Sequence, residues 1–352
     1  MAVQTGSDAA RTEGPQRRRA GPPGAGLGGW LRRFLTLREG SVIVITIAVA
    51  LYFGLTTDAF FTVENFKTLL PYFAPFAILA AGEVFLMING EIDLSIGAVY
   101  LFCPFFFYEA VGWGLPLVPA LVIALIGCMI VGLINGIFTA VVGISSFVTT
   151  LGMLLALEGF TLIISDAQPV ATPGTSNIES LSPFARVFGG GTYSELVWAL
   201  AIVVVLQLVL TFTRWGIYTV AVGGNRHGAA EAGVRVRLII IRNFIMCATL
   251  AGLVGVLEAV RTTSVTPDPS GANSVLFDGI SAAVIGGTLL AGGSGTVVGG
   301  LFGALLLGIL NDGLIIKGVN ADYLSFYLGI AIIIAMAANT YVGRVRTGVR
   351  GG

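Results

Sequence analysis

The sequence predicts an all-α, polytopic membrane protein of about ten transmembrane helices. Three observations carry that prediction. Of 352 residues, 55% are hydrophobic and only 11% are charged, whereas a soluble globular domain carries about 25% charged residues. Apolar runs close to the ~20 residues that a spanning helix needs recur along the chain. Finally, the 49 glycines are about twice the usual ~7% share, and they follow no collagen-like period. In apolar helices such residues let backbones approach closely.

Charge and composition exclude several classes. Nineteen Lys and Arg balance nineteen Asp and Glu, so the chain is not a generally basic nucleic-acid binder. Cys103, Cys128 and Cys247 stand singly in apolar runs, which argues against a disulfide framework or a zinc site. His227 is the one histidine, so a two-His metal motif is impossible, and no cofactor is implied.

Residues 1–40 differ from the rest. They hold Arg11, Arg17, Arg18, Arg19, Arg32, Arg33 and Arg38 among prolines and glycines, and read as a disordered, basic cytoplasmic tail. The tail is too long and interrupted for a signal-peptide n-region, and no A-x-A site follows the first apolar run. That run is expected to stay as an anchor. The spans then fall at roughly 41–56, 67–88, 94–111, 116–141, 146–165, 194–213, 238–262, 277–291, 296–316 and 323–342. The third and eighth carry polar or glycine breaks and are the candidates for short or re-entrant segments. The organisation expected is a tail (1–40), a membrane domain (41–343) and a C-terminal cytoplasmic tail (344–352).

Basic residues orient the spans, because cytoplasmic loops are enriched in Lys and Arg. Fifteen of the nineteen lie in the N-terminal tail, in 214–242 or at Arg344, Arg346 and Arg350; Lys67, Arg186, Arg261 and Lys317 fall on the other side. Both termini are then expected in the cytoplasm, which an even number of spans satisfies. Two segments on the outer side, 166–193 and 263–276, are long enough to meet a partner there.

A short internal repeat joins the halves: Gly132-Leu133-Ile134-Asn135-Gly136 recurs as Gly308-Ile309-Leu310-Asn311-Asp312-Gly313. In this topology the two copies run in opposite directions. Inverted repeats are a transporter signature, with the substrate path between the halves. Gly132 and Gly136, and Gly295, Gly299 and Gly303, recur every fourth residue and read as helix-packing stripes.

No ATPase site is present. A P-loop needs a lysine after glycine, and neither Lys67 nor Lys317 follows one. Gly292-Gly293-Ser294-Gly295 mimics a dinucleotide loop, but apolar spans flank it rather than a βαβ unit. Three stretches carry functional weight. Asn89-Gly90-Glu91-Ile92-Asp93-Leu94-Ser95-Ile96-Gly97 places two carboxylates between spans. It reads as a helix cap through Asp93 or Ser95 and as a break lining a polar cavity, readings that are compatible because irregular backbone at membrane depth must be buried in protein or face water. Asn135 and Asn311 read as hydrogen-bonding groups across helices or as pathway residues. The intramembrane acids counted are Glu83, Glu158, Glu258 and Asp312, none read as having a basic partner one turn away. The cytoplasmic segment Asn225-Arg226-His227-Gly228-Ala229-Ala230-Glu231-Ala232-Gly233 reads either as a solvated loop or as a short docking helix closed by Gly233.

These stretches resemble a known family. Glu91-Ile92-Asp93-Leu94-Ser95-Ile96-Gly97, the Ala221–Val234 segment, Ile285-Gly286-Gly287-Thr288, Gly292–Val297 and Gly308–Gly313 are similar, in order, to the signatures of ribose-, xylose- and galactose-type ABC permeases over about 41–342. Glu91 stands where glycine is common, and His227-Gly228 also departs from the pattern. The resemblance implies a type II importer-like fold in the cell (inner) membrane. It implies a second permease copy, a separate cytoplasmic ATPase and a periplasmic or lipid-anchored sugar-binding protein, with no nucleic acid. The polar break and the asparagines within spans make Asn89, Glu91, Asp93, Ser95, Asn135 and Asn311 the expected translocation-pathway residues, and the resemblance implies ATPase coupling through Asn225, Arg226, Ala230, Glu231 and Gly233. Related branches carry nucleosides or branched-chain amino acids. An ion-coupled secondary carrier is the alternative from another class.

Overall fold

The computed structural model describes residues 39–175 and 182–347. The N-terminal tail, apart from its last two residues, and the end of the C-terminal tail from residue 348 lie outside the described residues. Apolar runs become helices here because a backbone without water must satisfy its own N–H and C=O groups. The chain runs α1 (Gly40–Thr56), α2 (Val63–Ile88), α3 (Ile96–Gly112), α4 (Leu117–Ile137) with a π-helical turn at Phe138–Val142, α5 (Ser146–Ile164) and strand β1 (Val170–Ala171). It continues with α6 (Pro183–Val187), α7 (Ser194–Phe212), α8 (Arg214–Gly224), α9 (Arg226–Glu231), α10 (Val236–Thr262), β2 (Ser264–Val265), α11 (Pro269–Ile285), α12 (Val297–Ile316) and α13 (Ala321–Thr347).

Nine of these helices stand within a few residues of expected spans, and a tenth overlaps the expected eighth. Six are long and apolar enough to cross a membrane: α2, α4 with its π turn, α5, α7, α10 and α12. α1, α3 and the Tyr323–Ile334 part of α13 are shorter apolar helices. The eighth span differs from the expected 277–291. Its helix starts eight residues earlier, because Asp268 accepts from Ser270 N at 3.0 Å and Gly271 N at 3.1 Å and Pro269 suits the first helical position. It ends before Gly287, whose φ is +91°. The apolar Leu289 and Leu290 lie in an exposed loop, and much of the expected outer loop at 263–276 is helical. The last helix also extends past the expected boundary at 343, to Thr347.

α2 is the centre of the bundle: 83% of its apolar window is buried, against 22% for α5. α2 packs on α11 and α12, and α10 reciprocally packs on α3 and α4. The two central helices are antiparallel, because Phe85 and Asn89 near the end of α2 meet Asn243 near the start of α10. Each half therefore has a long central helix, a break and a shorter helix, and the halves run in opposite directions.

Small residues set the close approaches. A Cβ on Gly132 would lie 2.5 Å from the Phe244 carbonyl, and one on Gly136 would lie 2.8 Å from Ile241 Cα. These two press α4 onto α10. Gly299 and Gly303 press α12 onto the Gly286 and Ala282 carbonyls of α11. Gly295 lies outside the expected stripe: it precedes α12 and meets Thr288 and Ile88 from the loop. In the repeat's second copy, Gly308 meets Phe73 of α2 and Gly313 meets Phe53 of α1.

Candidate functional site

The break between α2 and α3 is built from its own sequence and closed by other helices. Asn89 caps α2, and Gly90 takes the left-handed backbone at φ +74°. Gly90 N donates to Met87 O at 2.8 Å and Glu91 N to Leu86 O at 3.0 Å, the paired bonds that end a helix at a glycine. Beyond the turn, side chains of distant helices satisfy the backbone. Ile92 N donates to Ser146 Oγ at 3.4 Å, and Leu94 N donates to Thr150 Oγ1 at 3.0 Å.

Asp93, Ser95 and Asn135 form one fully buried cluster. Asp93 Oδ1 accepts from Ser95 N at 2.8 Å and from Ser95 Oγ at 2.6 Å. The Asn135 amide donates to Ser95 Oγ at 2.9 Å. Burying such polar groups is tolerable when partners are present. Asn311, the repeat counterpart of Asn135, is buried in α12 and stays outside this cluster; its neighbour Asp312 accepts from Asn65 at 2.8 Å.

The segment after α7 folds into two short helices at the same end of the molecule. Asn225 caps α9 through Gly228 N at 2.9 Å. Gly233, at φ +83°, closes it by the same paired bonds as Gly90: Gly233 N to Ala230 O and Val234 N to Ala229 O, both 3.0 Å. Ala229 is buried, whereas Ala230, Glu231, Ala232 and Gly233 face outward. His227 and Glu231, one turn apart, sit 3.4 Å from each other.

Break and segment meet. The Arg226 guanidinium donates to Asn89 O at 2.9 Å and pairs with the Glu91 carboxylate. The Asn89 amide donates to Thr219 O at 2.7 Å and its oxygen accepts from Asn243 at 2.6 Å. Asn243 in turn accepts from the Trp215 indole at 2.7 Å. Backbone closes the junction: Gly293 N donates to Ile88 O at 2.8 Å, and a Cβ on Gly223 would lie 1.6 Å from that same oxygen. Residues assigned separately to the pathway (Asn89, Glu91) and to coupling (Arg226) thus share one site.

Sequence reasoning overlooked Asn243, Thr219, Thr150, Gly223 and Gln207; the last accepts from Val297 N at 2.9 Å and Val298 N at 3.1 Å and so caps α12 from α7. A census of amides as well as acids inside apolar spans would have found Asn243. The acid census itself needs correction. It omitted Glu109, Glu195 and Asp278, and Glu258 does have a basic partner three residues on: Arg261 pairs with Glu258 and lies 3.4 Å from the buried Glu195.

That triad belongs to the opposite end of the bundle. There β1 pairs antiparallel with β2, Val170 against Val265, and Thr172 donates to Ala259 O at 2.7 Å. The two long connections expected on the outer side are joined by these contacts, although 176–181 lie outside the described residues. A cavity of about 300 Å³ opens here, lined by Tyr100, Pro104, Glu258, Thr262, Asp268 and Gly271.

Comparison with known proteins fits this architecture. The profile of the family described as branched-chain amino acid transport system / permease component matches residues 65–336. The chain is 36% identical to the xylose/arabinose import permease protein XylH of Sulfolobus acidocaldarius, over 89% of this chain and 87% of that protein. It is 32% identical to the ribose import permease protein RbsC of Escherichia coli K12, over 87% and 95%. It is 29% identical to the D-allose transport system permease protein AlsC of the same strain, over 87% and 93%. No solved structure matches. With a match across more than half its length, the chain belongs to the branched-chain amino acid transport system / permease component family.

Proposed function

We propose that this chain is the membrane-spanning permease subunit of an ATP-driven importer that moves a monosaccharide of the ribose, xylose or galactose class. The observation that carries the substrate class is the near full-length similarity to permeases named for xylose/arabinose, ribose and allose. The absence of a P-loop in the sequence assigns ATP hydrolysis to a separate cytoplasmic ABC ATPase. The exposed face of α9, with Ala230, Glu231 and Gly233, is its docking surface. A periplasmic or lipid-anchored sugar-binding protein delivers substrate at the opposite end, where β1, β2 and Arg261 lie, and a second permease copy completes the channel.

In this reading both termini are cytoplasmic, following the distribution of basic residues. The chain's own residues bind sugar weakly and reorganise around the breaks, since tight binding in the path would slow release. Specificity then resides mainly in the binding protein. Reconstitution tests the whole reading. Vesicles holding the permease, its ATPase and the binding protein should accumulate labelled ribose or xylose only with ATP. Uptake driven by an ion gradient in vesicles holding the permease alone would refute it in favour of a secondary carrier.

A further inference from the structure

We propose that Arg226 and Glu91 form a latch that joins the docking helix to the break, so that α8, α9 and the end of α2 move as one body during transport. The inference rests on the functional reading above, in which α9 docks to the ATPase. Its own support is placement. Arg226 is the first residue of α9 and half exposed; its guanidinium holds both the Glu91 carboxylate and the Asn89 carbonyl. Glu91 is 8% exposed, so almost none of it is left for another protein to touch. Its charge faces Arg226, and a carboxylate so buried is costly to leave unpaired.

The surroundings make the latch stiff on one side and loose on the other. Toward the break, Asn89 is held by Thr219 and Asn243, and Ile88 O is pressed by Gly223 and bonded by Gly293 N. These contacts leave no slack between α8 and the end of α2. Away from the break, α9 ends at Gly233, with nothing within 4 Å of where a Cβ would stand. A push on α9 is therefore passed inward to residues 89–95, whose partners Ser146, Thr150 and Asn135 lie on α5 and α4.

The experiment uses the full complex of permease, ATPase and binding protein in proteoliposomes, with labelled ribose and xylose as probes. It compares the parent with E91Q, R226Q, E91R, R226E and the exchanged pair E91R/R226E. E91Q and R226Q should each lower sugar moved per ATP at least tenfold, while ATPase copurification and hydrolysis in E91Q stay within twofold of the parent. The exchanged pair should recover at least a third of the uptake that E91R and R226E lose. A second readout needs no sugar: the ATP-dependent change in amide hydrogen exchange over residues 89–95 should be present in the parent and absent in E91Q. If the exchanged pair fails to fold, the two neutral variants and the exchange readout decide. Normal coupling in E91Q would overturn the latch. So would a loss confined to R226Q, because Arg226 would then act by touching the ATPase directly. Uptake by the parent without an ATPase would instead overturn the docking reading, and the latch with it.

Discussion

The two halves of the bundle each break a long central helix before a shorter one, and they close the break by different means. Between α2 and α3 the chain turns at Gly90, and its free backbone groups are taken up by Ser146, Thr150 and Arg226, residues 54 or more positions away. Between α10 and α11 the closure is mostly local. Thr263 takes a left-handed backbone at φ +61°, Thr262 bonds Ser264 O at 2.9 Å, and Asp268 caps α11 by itself. Among the described residues, distant partners there are the short pairing with β1 and Thr172, whose N donates to Thr263 O at 3.0 Å. A break held by distant side chains can transmit displacement between elements. A break closed largely by its own residues depends less on its neighbours. The repeat thus has a common architecture whose two breaks are closed by different partners.

Five substitutions test that contrast, taken from the largest effect to the smallest. Gly223→Val places a side chain where a Cβ already lies 1.6 Å from a backbone oxygen, which no rotamer relieves. It should abolish uptake and lower the yield of monodisperse protein in detergent, seen by size-exclusion chromatography. A normal elution profile would show that the junction is loose. Ala230→Trp should cost at least tenfold in ATP-driven uptake with unchanged thermal stability, because Ala230 is exposed. It is a cleaner probe than Gly233, where any side chain would also strain a left-handed backbone. Unchanged uptake would mean that α9 is only a solvated turn.

Asn135→Leu removes the amide that reaches Ser95 and leaves a buried polar group short of a partner, a loss of about 1–3 kcal/mol. The melting temperature in detergent should fall by several degrees, and the matching Asn311→Leu should be milder because Asn311 lies outside the cluster. Equal effects would erase the asymmetry between the halves. Asp268→Ala removes only a cap, at a cost of about 1 kcal/mol, and should leave sugar moved per ATP unchanged. A large coupling defect would make the second break mechanical like the first.

Much of this was legible without coordinates where the signal is local. The apolar runs placed nine helices within a few residues, and the two carboxylates of 89–97 marked the break after α2. The segment 225–233 announced a short helix by its closing glycine, Gly233. α11 was misplaced for a local reason as well. Ser270, Asn273 and Ser274 diluted its hydropathy, whereas Asn273 in fact reaches Glu158 across the bundle at 3.0 Å, and the Asp268-Pro269 start signal was read as loop.

What the sequence by itself determined is therefore the class of the protein: helical, membrane-embedded and two-halved, with one break and one basic segment between spans. Hydropathy, caps and charge bias act over a turn or two of helix, and a single chain displays them in order. Only the tertiary structure decided that Arg226 meets Glu91 across 135 positions, that Asn89 is held by Asn243, and that Asn135 joins the break while Asn311 does not. Such pairings depend on which helix faces come together, and that is set by close packing at a few glycines and by the pairing of buried polar groups. The glycine stripes mark along the chain which faces pack closely, but neither they nor the buried polar groups name the partner helix.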